Sequence, residues 1–459
     1  MLGNVKQDVK GDARGIKPFD HSWRTEFLNS QQLQTKSHAL IPGGCHTYAK
    51  GDDQFPQNSP GFLVRGEGCH VWDMDGNEYI EYGMGCRAVT LGHAFPSVVR
   101  AAQEELFRGS NFSRPAPIEV ECAEELISMI DGAEMVKFCK DGSAATTAAI
   151  KLARAHTGRD KIGFCADHPF FATNDWFIGT TPFDTGIPQS TKDLSLAFRY
   201  NDIDSIREMF QENSGEIACL IMEPAKYCDP HDDFLNKAKE ICHEHGALFV
   251  LDEMITGFRW HNGGAQKYYQ VVPDLSTFGK ALANGFSLSA LVGRKEFMEV
   301  GGLEHERERV FLLSTTHGAE THSLAAAIAT MRTYQNEPVV ETLFQQGERL
   351  RDGVNTVIAQ HGLKDYVEVI GKPCCMVLAS RDGNKLPSQW FRTLMMQETI
   401  KRGVFMLSLV VSYSHSDKDI DWTIGAIDES LFVYRKALDE GPEKYLVGRP
   451  SKPVYRKLN

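Results

Sequence analysis

Two short apolar runs constrain the fold of this chain more than any other feature. Residues 217–222 and 248–251 are continuously apolar over the length of a strand, and helix-like sequence from residue 233 to 245 separates them. Strands without polar positions are typical of parallel sheets that helices cover on both faces. The alternation of such strands with helices starts near Glu119. It predicts an α/β domain with a mainly parallel sheet.

The length of the chain indicates a second domain. Its 459 residues exceed the size at which one hydrophobic core stops growing, about 250–300 residues. Residues 61–82 have the pattern of a β hairpin, and the sequence after residue 337 mixes helices with strand-like stretches. We expect a mobile arm at residues 1–20, an N-terminal segment at 21–100 whose hairpin packs with the small domain, a large domain at 101–336 and a smaller α+β domain at 337–459.

Charge, cysteine usage and hydropathy exclude several classes of protein. The formal net charge is −12, whereas nucleic-acid binders present a basic surface. The eleven cysteines are scattered without a C-x-x-C pair, which argues against a disulfide framework or a zinc site. No apolar run reaches the ~18 residues of a membrane helix, and residues 1–20 lack the apolar core of a secretory signal. We therefore expect a cytoplasmic protein without metal, membrane or nucleic-acid partners.

Two acids follow the second apolar run directly. Asp252 and Glu253 come immediately after residues 248–251, and the carboxyl ends of parallel strands are where ligands bind. A carboxylate at this place can hold a metal, orient a base or pair with a protonated ring nitrogen. It can also simply cap the next helix. The stretch alone leaves these alternatives open.

A lysine among small residues lies further along the chain. Lys280 follows Gly279 and precedes Ala281. Burial lowers the pKa of a lysine, and small neighbours leave room for a carbonyl cofactor. An isolated lysine is usually a surface residue. Its combination with Asp252 favours a cofactor that requires both a Schiff-base lysine and an acid at its ring nitrogen.

A third element resembles an anion site. Residues 135–139 are strand-like, and Gly142 and Ser143 then open a helix of small residues. The free N–H groups and the positive end of the helix dipole suit a phosphate. Gly-Ser before a helix is also a common plain cap, so this element is weak by itself.

Longer motifs connect the three elements to a known family. They are Gly257-Phe258-Arg259 after the Asp-Glu-Met triplet at 252–254, Pro273-Asp274-Leu275 before Lys280, and residues 152–162. From about residue 42 to 426 the chain resembles the class III (subgroup II) pyridoxal-phosphate-dependent aminotransferases, and within them the glutamate-1-semialdehyde 2,1-aminomutase branch. The resemblance implies pyridoxal 5′-phosphate as cofactor and an aspartate-aminotransferase-like fold (fold type I), with a seven-stranded sheet in the large cofactor-binding domain.

The resemblance also implies roles for the two central residues. Lys280 would form the Schiff base with the cofactor and, once released, carry protons between substrate and cofactor. Asp252 would keep the pyridine nitrogen protonated, so that the ring accepts electrons.

Further cofactor contacts follow from the same resemblance. Gly142 and Ser143 would hold the phosphate, Met254 would pack against the ring, and His168 would stack on its outer face in place of the family's usual aromatic residue. Thr315 falls where the family has a phosphate-binding threonine from the neighbouring subunit. The expected assembly is therefore a homodimer with shared active sites.

Departures from the family pattern concern the substrate. Lys50 stands where the aminomutase has an arginine for the substrate carboxylate, and a lysine lacks the bidentate fork. Cys86, next to Arg87, stands in place of a pocket tryptophan. Glu320 places a carboxylate near the expected dimer interface. These four residues are the candidate substrate contacts.

Three functions remain open at this point. The favoured one is a transaminase that moves an amino group from an amino-acid donor to a carbonyl acceptor, with a sugar-like intermediate as one candidate acceptor. The alternative is a glutamate-1-semialdehyde 2,1-aminomutase, an isomerase that makes 5-aminolevulinate. A non-catalytic relative of the fold is disfavoured, because Lys280 and Asp252 are both retained.

Overall fold

The architecture is that of a computed structural model, which describes residues 23–457. The expected arm at residues 1–20 lies outside the described residues. The strands in chain order are β1 Leu63–Glu67, β2 His70–Asp73, β3 Glu78–Glu81, β4 Met135–Cys139, β5 Lys161–Cys165, β6 Ser195–Phe198, β7 Ile217–Met222, β8 Leu248–Asp252, β9 Leu275–Phe278, β10 Ser289–Gly293, β11 Val367–Lys372, β12 Cys375–Ser380 and β13 Val404–Phe405.

Helices surround the strands along the whole described chain. No helix within residues 23–457 combines the length and the apolar character that a membrane crossing requires. The helices are Leu28–Leu40, Pro96–Leu106, Pro117–Met129, Gly142–Thr157, Asp175–Ile178, Gln189–Lys192, Ile203–Glu212, Phe234–Glu244, Gly264–Tyr268, Lys295–Met298, Thr321–Asn336, Val339–Gln360, Gln389–Lys401 and Asp417–Glu440, with a left-handed turn at Met84–Arg87.

A seven-stranded sheet forms the centre of the larger domain. Its strand order is β4-β10-β9-β8-β7-β5-β6. The strands from β9 to β6 pair in parallel, and β10 runs antiparallel to both of its neighbours. All residues of β7 and β8 are buried, as their apolar sequences require. The predicted mainly parallel, seven-stranded α/β sheet is confirmed.

A smaller sheet joins distant parts of the chain. It has the order β1-β2-β3-β13, in which the N-terminal hairpin pairs antiparallel and β13 pairs parallel with β3. The same region has its own apolar core, to which Ile80 and Tyr82 contribute together with residues of the two long C-terminal helices. The hairpin therefore packs against C-terminal elements. The boundaries expected at residues 20, 100 and 336 stay predictions.

Two glycines in the long C-terminal helices differ in their surroundings. Gly347 is buried, and a Cβ there would lie 2.0 Å from the carbonyl oxygen of Pro373. Gly425 is exposed, and a Cβ would meet nothing within 4 Å. The first glycine is required by a close approach of two backbones. The second has no steric reason to be glycine.

The same substitution should therefore have opposite effects at these two positions. We expect Gly347→Ala to lower the free energy of unfolding by about 2 kcal/mol, because the helix must move away from Pro373. Gly425→Ala should raise it by about 0.5–1 kcal/mol, because alanine is the better helix former. Urea unfolding followed by circular dichroism measures both. Equal destabilisation by the two variants would contradict the packing described for Gly347.

Candidate active site

A cavity opens where the central strands end. It has a volume of ≈ 350 Å³ and lies at the carboxyl edge of the parallel strands, the usual ligand site of such sheets. Its polar wall comes from the ends of several elements: Lys140, Asp141, Gly142 and Ser143 after β4, Glu223 after β7, Asp252 at the end of β8, Lys280 after β9, Ser287 before β10 and Ser289 at its start.

Asp252 is the buried acid of this cavity. It is the last residue of β8 and is 3% exposed. Its Oδ1 accepts the N–H of Met254 at 3.0 Å and the hydroxyl of Thr277, on the neighbouring strand, at 3.1 Å. Burial, and after it the carboxylate of Glu223, raises the pKa of Asp252 to about 7. The side chain is thus held rigidly where a cationic partner would stabilise its charge.

Lys280 lies on the wall of the same cavity. Its backbone is left-handed, with φ 46°, at the start of the short turn Lys280–Ala283. Burial lowers the pKa of Lys280 to about 8, although Asp252 and Glu223 act in the opposite direction. A lysine with such a pKa has a much larger uncharged fraction near neutral pH than an ordinary lysine, and the uncharged amine is the nucleophilic form.

Met254 explains two of the glycines around the cavity. A Cβ at Gly142 would lie 2.9 Å from the sulfur of Met254, and one at Gly279 would lie 2.6 Å from it. The thioether therefore fills the space between the loop that follows β4 and the lysine turn. Glycine at both positions lets Met254 reach the cavity wall.

The helix Gly142–Thr157 points its N-terminus at the cavity. Asp141 caps this helix by accepting the N–H of Ala144 at 2.9 Å. The hydroxyl of Ser143 accepts the N–H of Thr173 at 3.0 Å, so its own O–H remains a donor. Lys140 adds a cation and forms an ion pair with Glu320. Backbone N–H groups, hydroxyls and a positive helix end together fit an anion such as a phosphate.

The structure places His168 differently from the prediction. The side chain is 2% exposed, and its Nδ1 accepts the N–H of Glu223 at 3.0 Å. Phe170 and Phe171, rather than His168, form the cavity wall. Stacking of His168 on a cofactor ring is not supported by this geometry. The imidazole fixes the end of β7 instead, and burial lowers its pKa to about 4.

Glu223 is a site residue that the sequence reasoning missed. It is 2% exposed, lines the cavity and pairs with Lys226, whose Nζ lies 2.9 and 3.2 Å from the two carboxylate oxygens. Burial is the largest single influence and raises the pKa of Glu223, but Lys226, His168 and Lys280 together lower it by more, so that the net shift is downward. The signal was available, because β7 runs directly into Glu223 just as β8 runs into the acids at 252–253.

The second acid of the Asp-Glu-Met triplet lies outside the cavity wall. Glu253 accepts the backbone N–H groups of Ala265 and Gln266 at 2.9 and 2.6 Å and the hydroxyl of Thr256. It caps the start of the next helix. The two adjacent acids therefore differ in their surroundings: Asp252 faces the cavity, whereas Glu253 caps a helix.

The predicted substrate residues fall into two groups. Lys50, Cys86 and Arg87 line a second cavity of ≈ 1020 Å³, which the N-terminal segment forms with Phe405, Leu407, Ser408 and Arg449. Glu320 lies next to Lys140, beside the smaller cavity. The structure therefore brings the first three together, at the side of the cofactor-sized cavity rather than within it.

Thr315 lies apart from both cavities of its own chain. It is exposed, in the stretch between residues 302 and 320, and does not belong to the wall of either cavity. Its predicted contact with the cofactor of a neighbouring subunit stays a prediction.

Comparisons with known proteins agree over most of the chain. Residues 52–431 match the family model for class-III aminotransferases. The glutamate-1-semialdehyde 2,1-aminomutase of Acetivibrio thermocellus is 31% identical over 437 residues, which cover 89% of this chain and 98% of that protein. The 3-aminobutyryl-CoA aminotransferase of Cloacimonas acidaminovorans is 30% identical, covering 90% and 99%. The structure of the Sphingopyxis sp. FumI protein with pyridoxal phosphate superposes with a TM-score of 0.83 at 28% identity, covering 91% and 99%.

The buried pair of Glu223 and Lys226 leads to a stability prediction. We expect Lys226→Met to lower the free energy of unfolding at pH 8 by about 3 kcal/mol, because it leaves a buried carboxylate unpaired. The unpaired Glu223 then has a folded-state pKa above its unfolded value, so that it protonates in the folded protein and the loss shrinks toward pH 5. Urea unfolding at the two pH values measures this difference.

The double variant Glu223→Gln/Lys226→Met is the matched control. It removes both charges and should recover most of the stability that Lys226→Met loses. A double variant as unstable as the single one would show that the aliphatic chain of Lys226, not its charge, stabilises this corner of the cavity.

Proposed function

The chain belongs to the class-III aminotransferases, and from that premise we propose that it is a transaminase moving an amino group from an amino-acid donor to a carbonyl acceptor. The family match confirms the predicted enzyme class, the fold type and pyridoxal 5′-phosphate as cofactor. The observation that carries the transaminase proposal is the second cavity of ≈ 1020 Å³ beside the cofactor cavity. It provides room for an acceptor larger than the donor.

The residues of the smaller cavity fit pyridoxal phosphate. When bound, the cofactor supplies an aldehyde that exchanges amino groups and a ring that withdraws electrons from the substrate. Lys280 is the amine that would hold the aldehyde covalently, and Asp252 is the buried acid that would keep the ring nitrogen protonated. Gly142 and Ser143 would bind the phosphate, and Met254 would pack against the ring. These assignments are part of the proposal.

Lys280 has a second task once its amine is free. Because burial lowers its pKa to about 8, the amine can accept a proton from the substrate carbon and return it near neutral pH. Asp252 and Glu223 line the same cavity and stabilise the protonated form. The lysine is therefore poised between its two protonation states.

The transaminase is preferred over the aminomutase because of the pocket. A transaminase releases its first product and binds a second substrate, whereas a mutase keeps one substrate enclosed. Lys50 and Cys86 replace the mutase's carboxylate-binding arginine and pocket tryptophan, and the cavity that they line contains many polar side chains. One relative is named for 3-aminobutyryl-CoA, a large amine, so large substrates occur among similar enzymes. A sugar-like acceptor fits the same space.

The aminomutase is the second candidate, because several similar curated proteins carry that name at about the same identity.

Both candidates are proposed to act as homodimers. The exposed position of Thr315 supports the proposal that it reaches the site of the partner subunit, with Glu320 close to that interface.

A half-reaction separates the two candidates. We expect purified protein loaded with pyridoxal phosphate to absorb in the visible range, and amino donors, glutamate first, to remove this band while one equivalent of keto acid is released. The physical reason is that the amino group remains on the cofactor until an acceptor arrives. Absorbance and keto-acid determination measure the two quantities. Conversion of glutamate 1-semialdehyde to 5-aminolevulinate without any keto acid would favour the mutase.

Substitution of the two adjacent acids tests the role of Asp252. We expect Asp252→Asn to retain the visible band of lysine-bound cofactor but to slow the half-reaction by at least about 100-fold, because the charge that stabilises the protonated ring is gone. Glu253→Gln is the control, since Glu253 only caps a helix, and should lower stability while leaving the rate largely unchanged. Lys280→Ala should abolish covalent attachment. An unchanged rate in Asp252→Asn would remove Asp252 from the mechanism.

A further inference from the structure

The turn at Met84–Arg87 has an unusual backbone. Four consecutive residues have positive φ angles, 41° at Met84, 57° at Gly85, 59° at Cys86 and 69° at Arg87. Left-handed turns are unfavourable for residues with a side chain, and such conformations persist where the surrounding structure enforces them, often at functional sites.

A buried arginine holds this turn in place. Arg259, which is fully buried, donates to the carbonyl oxygen of Arg87 and to the hydroxyl of Thr90. Within the turn, the N–H of Arg87 bonds the carbonyl of Gly83 at 2.9 Å. The backbone of Arg87 is therefore fixed from both sides, and its side chain leaves from a defined point.

The guanidinium of Arg87 lacks an acidic partner. Its Nε is buried and makes no hydrogen bond, and no carboxylate within residues 23–457 forms an ion pair with it. Burial disfavours its charge, but a hydrogen bond to the thiol of Cys375, together with Tyr227 and Glu223, raises the pKa of Arg87 overall. Glu223 is already paired with Lys226, so this largely buried cation stays charged without a carboxylate of its own.

Arg87 also lies at the boundary of the two cavities. It lines the larger one, whereas Ala88, the next residue, lines the smaller one. The carboxylates of the larger cavity are already paired, Glu81 with His93 at 2.6 Å and Asp52 with His38 at 3.2 Å. Arg87 therefore remains available to an anion that enters from outside.

We propose that Arg87 binds an oxyanion of the substrate, a carboxylate or a phosphate, and thereby orients the reacting end toward Lys280. The planar guanidinium fork suits both anions. Lys50, an exposed cation of the same cavity without an ion pair in the described chain, adds a second positive charge. The proposed substrate therefore carries a carboxylate or a phosphate group. The inference rests on the proposed transaminase function.

Amines that differ in their anionic group provide the test. The holoenzyme is mixed with glutamate, O-phosphoethanolamine and 1-aminopropane, and the half-reaction is followed by the visible band. We expect the wild type to prefer an anionic amine strongly over 1-aminopropane, and the better of the two anionic amines distinguishes carboxylate from phosphate. Arg87→Gln should lower kcat/KM for that amine about 10- to 100-fold, mainly through KM, with 1-aminopropane unchanged.

Two further variants separate this effect from misfolding. Arg65→Gln is the matched control, because Arg65 lines the same cavity but is paired with Glu67 at the surface; it should leave all three reactions unchanged. Arg87→Lys should retain part of the preference for the anion. An equal loss with 1-aminopropane and the anionic amine, or no loss in Arg87→Gln, overturns the proposal.

Binding without turnover distinguishes failure of this inference from failure of the transaminase proposal. If no amine removes the visible band of the wild type, the transaminase proposal fails. Calorimetric titration of the holoenzyme with succinate and with inorganic phosphate then still tests Arg87. Binding of either anion that is at least about 10-fold weaker in Arg87→Gln but unchanged in Arg65→Gln supports the anion site. Absence of binding to the wild type, or equal binding to all three proteins, overturns it.

Discussion

The charges buried at the carboxyl edge of the sheet are the constraint to which the rest of the molecule is adapted. Asp252, Glu223 and Lys280 lie in one small cavity, where each charge is unfavourable unless another compensates it. Lys226 neutralises Glu223, so that Asp252 and Lys280 remain for each other and for a ligand. The raised pKa of Asp252 and the lowered pKa of Lys280 show that burial disfavours the charged form of both side chains. The protein alone does not fully satisfy these two groups, and we propose that a cofactor with a ring nitrogen and an aldehyde would.

The sequence predicted this edge of the sheet well, because its signals are local. A buried strand that ends in an acid, and a lysine between small residues, predicted that Asp252 and Lys280 face one site, and both line the same cavity; their roles stay predictions. Glu223 likewise follows a buried strand directly, and the same pattern would have predicted that it faces the cavity. His168 was misplaced because the loop after β5 has no periodicity from which the direction of a side chain can be read. Its ring turns inward to accept the N–H of Glu223, and the phenylalanines that follow it face the cavity.

The pairing of strands that lie far apart in the chain could not be predicted from the sequence. The strand Val404–Phe405 has only two residues and pairs with β3, more than three hundred residues earlier in the chain. No local pattern distinguishes such a strand from a loop. The antiparallel insertion of β10 between β4 and β9 is likewise decided by packing. These pairings matter for function, since they bring the N-terminal segment and the C-terminal residues together around the larger cavity.

The two cavities satisfy their charges in different ways, and this difference separates chemistry from specificity. In the smaller cavity the groups are buried, and only Glu223 is fully paired, so Asp252 and Lys280 remain for a ligand. In the larger cavity the acids are paired with histidines, whereas Arg87 has no acidic partner and sits on a turn that Arg259 enforces. A strained turn that positions a cation without a carboxylate partner fits our proposal that this cation selects an anionic substrate. Under that proposal the turn separates the residues of the shared family reaction, in the smaller cavity, from those that would select the substrate, in the larger one.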